Sequence, residues 1–432
     1  MMNYLEAALE ISRSVYRSHL SLASVGRNFF AQQQFTKEEQ KQINGLISCE
    51  MHHHLAIIDT LAREDITVDA DLEPILWHLL ANAACYHHFP QAEMLALAGE
   101  LFTQKESAFP EAELRELLKR IDEPKDLIAP EYEEDSSEYL GLRYNTPLWL
   151  VKMWRKHLGS KVASKLLHAN RRRMQQIVRI NPMQPKQKRE ILAFDQDFIE
   201  GPADNTLIYR ARANVKRHPL FLEKAIFQQR GAISHILSEL DYTLLGNCLI
   251  YEERPQAVYL DVALYSLGKL KMDVAVSNER RRLDINKTSE AFGLKNVFAF
   301  VSRPESLITQ IRDEYHLVIV MPSNSAFDLI RTVPDFFVHF EQSQLDHYLT
   351  LQNRALEECR HFLAPGGKML YLINTVSQKE GHGIIVEFLK QHRDLHLIKE
   401  RQFLPFDRFN TALYVAILER ETSAEDHEDQ PL

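Results

Sequence analysis

A short apolar run, Leu317-Val318-Ile319-Val320, constrains the C-terminal half of this 432-residue chain more than any other feature. Such a run, closed by a polar loop at Met321-Pro322-Ser323-Asn324-Ser325, reads as a strand buried on both faces. The next periodic segment, 342–362, places Leu345, Leu349, Ala355, Leu356, Cys359 and Phe362 at helical spacing, and Ala364-Pro365-Gly366-Gly367 is its expected stop. Lys368-Met369-Leu370-Tyr371-Leu372-Ile373 then reads as a second buried strand ending at Asn374-Thr375. This order belongs to an open α/β sheet, in which ligands bind beyond the carboxyl ends of parallel strands. Ser323 and Asn374 are thereby placed where chemistry would be done.

The residues from Val318 to Gly381, VIVMPSNSAF…IRTVPD…LTLQNRALEECRHFLAPGGKMLYLINTVSQKEG, resemble the catalytic half of the bacterial RsmB/Sun-type RNA cytosine-5 methyltransferases. The family pattern there is D-A-P-C-S, H-P-D, L-Q-x-x-L-L, L-x-P-G-G, Y-S-T-C-S and P-E-E-N. Counting from Gly366-Gly367 puts the Y-S-T-C-S cysteine on Asn374 and the second glutamate of P-E-E-N on Glu380. Counting from Pro322 puts the D-A-P-C cysteine on Ser323 and its aspartate on Val320. Methylating C5 of a pyrimidine needs a thiolate to add at C6 and a second group to help release the product. A hydroxyl without a base is a far poorer nucleophile and an amide is none, so the resemblance implies a fold without its catalytic residues.

Upstream, the resemblance extends to about Tyr139. Arg143-Tyr144-Asn145-Thr146-Pro147-Leu148-Trp149-Leu150-Val151 is similar to R-Y-S-H-P-x-W-L-V, and Gln228-Gln229-Arg230-Gly231-Ala232 stands for V-Q-D-x-A-S with the acid replaced by Arg230. Residues 257–262 are expected to form the first strand of the sheet, and Ala263 to Lys269 to replace the C-A-A-P-G-G-K loop, with Gly268 alone of its two glycines. Met272 to Val276 reads as the next strand, followed by Ser277 where the family has a ribose-holding acid, with Glu279 two residues further. Ser302-Arg303, after strand 297–301, stands in place of the adenine-side acid. S-adenosylmethionine is the cofactor that the resemblance implies. Asp261, Gly268, Lys269, Ser277 and Glu279 are the residues expected to meet it, in a poor pocket.

The net charge of −9 hides an asymmetry. Between Arg143 and Arg230 stand 19 Lys and Arg against 6 Asp and Glu, a basic middle that points to a polyanion. Arg143, Arg171, Arg172, Arg173, Arg179, Lys186, Lys188 and Arg189 are the expected RNA contacts.

Residues 1–121 read as helical, with a capping-box pattern at Thr36-Lys37-Glu38-Glu39 and Pro110 opening a helix. In the resembled family this position holds a NusB-like domain. Its histidines, His52, His53, His54, His78, His87 and His88, form no H-x-x-x-H pair, and only Glu50 stands at ligand spacing, from His54, so no metal site is expected. The four scattered cysteines, Cys49, Cys85, Cys248 and Cys359, are expected as reduced, mostly buried thiols.

The expected architecture is multidomain: a helical NusB-like domain (1–121), an acidic linker (122–138), a basic α+β RNA-binding module (139–225), a Rossmann-like α/β methyltransferase-like domain (226–420) and an acidic tail (421–432). The expected protein is a cytoplasmic monomer that binds RNA, foremost rRNA, without methyl transfer. An active rRNA cytosine methyltransferase and a protein-interaction scaffold are the alternatives. No membrane span is expected.

Overall fold

The structure is a computed structural model and describes residues 2–18, 20–184, 187–242 and 246–422. The chain forms two compact units, the first made of 1–172 with 329–342 and the second of 173–328 with 343–432.

The first unit is helical. Its longest helix, Lys37–Arg63, starts at the expected capping box, in which Glu39 N donates to Thr36 Oγ1 (3.2 Å) and Thr36 N to Glu39 Oε2 (2.7 Å). Against it lie Tyr4–Arg17 and Glu73–Ala81, whose Leu5, Ile11, Leu79 and Leu80 share a core with Leu46, Ile47 and Ile57. Helix Glu111–Leu118 begins one residue after Pro110, which stands as its N-cap. The stretch expected as an acidic linker belongs to this unit. Its Leu127 is wholly buried and Ile128 nearly so in the helical core, because two apolar residues inside the acidic run supply burial that the charge pattern hides. The expected basic module is likewise divided: its helices Leu148–Leu158 and Ser160–Asn170 lie in the first unit, its strands in the second.

Cys49 and Cys85 are joined in a disulfide, which corrects the expectation of four thiols. Cys49 lies on the long helix and Cys85 on the turn Asn82–Tyr86 after Glu73–Ala81, and packing these elements brings their Cα atoms to 6.8 Å. A separation of 36 residues carries no motif, so only the packing reveals the pair. Cys248 and Cys359 are buried free thiols, their pKa pushed up by burial.

The second unit holds two sheets. A small antiparallel one has β1 (Gln176–Ile180), β2 (Phe198–Glu200), β3 (Thr206–Tyr209) and β4 (Ile226–Gln228) in the order β2-β3-β1-β4. A seven-stranded sheet follows, with β5 (Asn247–Glu252), β6 (Lys271–Val276), β7 (Val297–Val301), β8 (Tyr315–Met321), β9 (Leu363–Ile373), β10 (Leu395–Phe403) and β11 (Leu413–Arg420). Its order is β10-β11-β9-β8-β5-β6-β7, parallel from β7 to β9 and antiparallel at β11 and β10. The expected strands at 317–320 and 368–373 are β8 and part of β9. The helix between them, Gln344–Arg360, ends before the glycine turn, which is absorbed into β9 with Gly366 at φ +70°.

The first strand is not where the sequence placed it. β5 is 247–252, and residues 258–265 form a helix. A short apolar run without polar alternation fits a buried strand and a buried helix equally, and here tertiary burial chose the helix. Among the described residues no helix is long and apolar enough to cross a membrane. Most of the expected acidic tail, 423–432, lies outside the described residues.

Candidate functional site

The order of the large sheet reverses at β5, with β6 on one side and β8 on the other, so its topological switch point lies beyond the ends of β5 and β8. Three loops meet there in sequence terms: Glu253 to Ala257 after β5, Pro322 to Ala326 after β8, and Asn374 to Ser377 after β9.

The loop after β5 has no glycine. Pro255 is followed by Gln256 and by Ala257, which holds the left-handed conformation, φ +54°, as it leads into helix Val258–Tyr265. The two acids at the end of β5 are already engaged. Buried Glu252 accepts from Arg281 Nε at 2.9 Å, and burial raises its pKa against the opposing pull of Arg281. Glu253 accepts the Ser323 N–H at 2.6 Å and the Tyr251 hydroxyl, so its carboxylate ties the β5 loop to the β8 loop across the switch point.

Ser323 stands just past β8 as expected, half-buried. Its carbonyl accepts from Gln352 Nε2 at 3.1 Å, and the same amide donates to Glu380 Oε1 at 3.0 Å. Glu380 is wholly buried and also accepts from Ser325 N (2.8 Å) and Thr375 Oγ1 (2.8 Å). Asn374, at the end of β9, is 4 % exposed, and its Oδ1 has no hydrogen-bond partner. Chain order and sheet register thus bring Ser323, Asn374 and Glu380 to one end of the sheet, where Glu380 acts as a hub that fixes both loops. Val320 lies inside β8, wholly buried, between Tyr251 of β5 and Tyr371 of β9.

Asp261, Gly268 and Lys269, also expected to meet the cofactor, lie within and beyond the helix after β5 and not at these strand ends. Asp261 is wholly buried in helix Val258–Tyr265 and forms an ion pair with Arg179 of β1. Gly268, φ +68°, and Lys269 follow the end of that helix, a consequence of the shifted first strand. Ser277 stands exposed after β6, the position expected for it, and Glu279 accepts from Arg282 Nε at 2.8 Å. Glu253 was missed by sequence reasoning. The available signal was the pair Glu252-Glu253 directly after the apolar Cys248 to Tyr251.

The expected RNA contacts also divide. Arg179 is 1 % exposed and serves Asp261, so it leaves the set. Arg171 donates to His52 O and to His53 Nε2, both at 2.8 Å, and Arg172 to His168 Nε2 at 3.0 Å, while both keep exposed surface. Arg173 and Arg189 are exposed, Arg143 is half-buried, and Lys188 pairs with Glu200 at 2.9 Å. Lys186 lies outside the described residues. Ligand atoms of Cys49, His53 and Cys85 lie within 4.8 Å of one another, but the disulfide and the Arg171 bond occupy them.

No protein-family profile matches the chain. A protein of Shewanella oneidensis named ribosomal RNA small subunit methyltransferase B is 24 % identical over 277 residues, 61 % of each chain. This chain is a relative of the RsmB-type rRNA methyltransferases. A second protein of that name, from Xanthomonas campestris, is 34 % identical over 70 residues, 16 % of each chain. The match to the RsmB relatives therefore spans less than two thirds of their length. Among solved structures, PH0851 superposes with a TM-score of 0.71 at 15 % identity, covering 96 % of this chain and 98 % of its own. NSun6 from Pyrococcus horikoshii, solved with SFG, gives 0.56 at 11 % identity over 64 % and 99 %. At such identities these structures establish the fold, an α/β methyltransferase-type sheet with accompanying helices.

Proposed function

We propose that this chain is an RNA-binding member of the RsmB/Sun family, acting on rRNA, in which methyl transfer has been lost. The observation that carries this reading is the bridge at the switch point. A carboxylate, Glu253, joins the two loops between which a cofactor and a base would be held, and no thiol stands at Ser323 or Asn374. The residues do not fit S-adenosylmethionine: the β5 loop offers no glycine for close backbone approach, Glu252 and Glu279 are bonded to Arg281 and Arg282, and Ser277 replaces the ribose acid. The helical first unit takes the NusB-like role, and the exposed arginines of 171–189 contact phosphates.

An active methyltransferase is the second reading, favoured by the names of the relatives. Incubating the full chain with tritiated S-adenosylmethionine and rRNA separates the two. No incorporation, no covalent trapping of a 5-fluorocytosine RNA, and salt-dependent RNA binding are expected. Binding should lose about 0.7 in the slope of log K against log salt for each phosphate contact removed in an Arg172→Ala, Arg173→Ala, Arg189→Ala variant. Methyl incorporation by the wild type would establish the second reading, and salt-independent binding would remove the first.

A further inference from the structure

A cleft of about 490 Å³ opens in the second unit and is lined by the β5 loop at Pro255 to Ala257, by the turn before β4, and by the helix after β6. It shares the β5 loop with the switch point but is lined by neither Ser277, Ser323 nor Asn374. Its volume lies in the range of small-molecule sites, about 300–1,000 Å³.

Every charged side chain that lines the cleft is basic: Lys216, Lys224, Arg230 and Arg281. The two arginines are neutralised, Arg230 by Asp328 at 2.5 Å and Arg281 by Glu252 at 2.5 Å. Among the described residues, no ion-pair partner faces Lys216 or Lys224. Two uncompensated ammonium groups in one concave space favour an anion there. Lys224 Nζ also lies 5.9 and 5.8 Å from the ring centroids of Phe221 and Phe292, both of which line the cleft. Charge and aromatic faces thus bound the same space, the combination that holds a base and its phosphate together. Gln256 adds a buried amide Oε1 with no hydrogen-bond partner, an acceptor suited to an exocyclic amino group.

We propose that this cleft is a nucleotide site, with the base against Phe221 and Phe292 and the phosphate on Lys216 and Lys224. The same chemistry is presented by a free nucleoside monophosphate and by an unpaired nucleotide of an RNA. The site stands on its own geometry and does not depend on the arginine contacts proposed above.

The test is equilibrium binding to the full chain of AMP, adenosine, inorganic phosphate and a single-stranded RNA octamer. AMP should bind at least tenfold more tightly than adenosine or phosphate. The Lys216→Ala, Lys224→Ala variant should weaken AMP at least tenfold, and Lys216→Arg, Lys224→Arg should restore most of it. Competition between AMP and the octamer would assign the site to RNA, and AMP binding without competition would assign it to a free nucleotide. The Arg172→Ala, Arg173→Ala, Arg189→Ala variant should keep AMP affinity whatever happens to its RNA binding, which separates failure of this site from failure of the RNA reading. No AMP binding at millimolar concentration, phosphate binding as tightly as AMP, or unchanged AMP affinity in the double-alanine variant would each overturn the proposal.

Discussion

Arg179 illustrates how one residue changes meaning with its surroundings. In a basic stretch it reads as a phosphate contact, yet its guanidinium is buried, 3.5 Å from the Tyr265 ring centroid and paired with Asp261. Burial pushes the Tyr265 hydroxyl up to about 12, so the ring stays neutral beside the pair. Removing one partner of a buried ion pair strands the other charge, at a cost of about 3–5 kcal/mol. Asp261→Ala should therefore lower unfolding free energy by about that amount in urea titrations, while Asp261→Leu combined with Arg179→Met should cost much less than Asp261→Ala alone. RNA affinity should be unaffected in the double variant. A larger loss of RNA affinity than of stability would return Arg179 to the nucleic-acid surface.

At the scale of elements, the β5 loop decides what the sheet can hold. A loop that lets a ligand approach its backbone carries glycine because a Cβ would stand in the way and because left-handed residues strain any other side chain. This loop has a left-handed residue at Ala257 and no glycine. Ala257→Gly should stabilise the protein by about 0.5–1 kcal/mol, read as a raised urea midpoint at constant m-value. It should not create S-adenosylmethionine binding, because Glu253 still joins the β5 and β8 loops. A fall in stability would mean that the strain at Ala257 is absent. The misplaced start of the sheet, strand at 247–252 and helix at 258–265, has the same origin in local sequence: both segments are mostly apolar, and neither has the alternation or stripe that separates strand from helix.

At the scale of the whole molecule, the helical unit carries a pH dependence set by its buried histidines. His53 is buried beside Arg171, and burial first, then the Arg171 charge, lowers its pKa from 6.5 to about 3; His52 and His78 are also lowered, chiefly by burial. An unfolded chain binds protons at these histidines near pH 6.5, whereas folded His53 does not until about 3. The stability is thus complete above 6.5 and is lost as pH falls toward 3. At pH 5 His53 alone should cost about 2 kcal/mol. Trp77, Trp149 and Trp154 all lie in this unit, so tryptophan fluorescence reports its unfolding. The urea midpoint should drop between pH 7 and pH 5, and His53→Gln should flatten that drop. An equal drop in the variant would place the proton uptake elsewhere.

Local sequence was enough for much of this protein. The helical character of 1–121, the capping box at Thr36, the strands ending at Met321 and Ile373, and the positions of Ser323 and Asn374 follow from periodicity, turn residues and spacing, which act over a few residues. So does the relation to the RsmB-type enzymes, because motif offsets survive as order along the chain. Other features were decided only by tertiary structure. The disulfide between Cys49 and Cys85, the burial of Arg179 against Asp261, the inclusion of 122–138 in the helical core and the Glu253 bridge each join groups far apart in sequence or loops fixed by strand order. The physical reason is that propensity and pattern specify which face of an element is apolar, whereas the partner of a buried charge, thiol or carboxylate is set by which faces meet, and that is settled only when the whole chain packs.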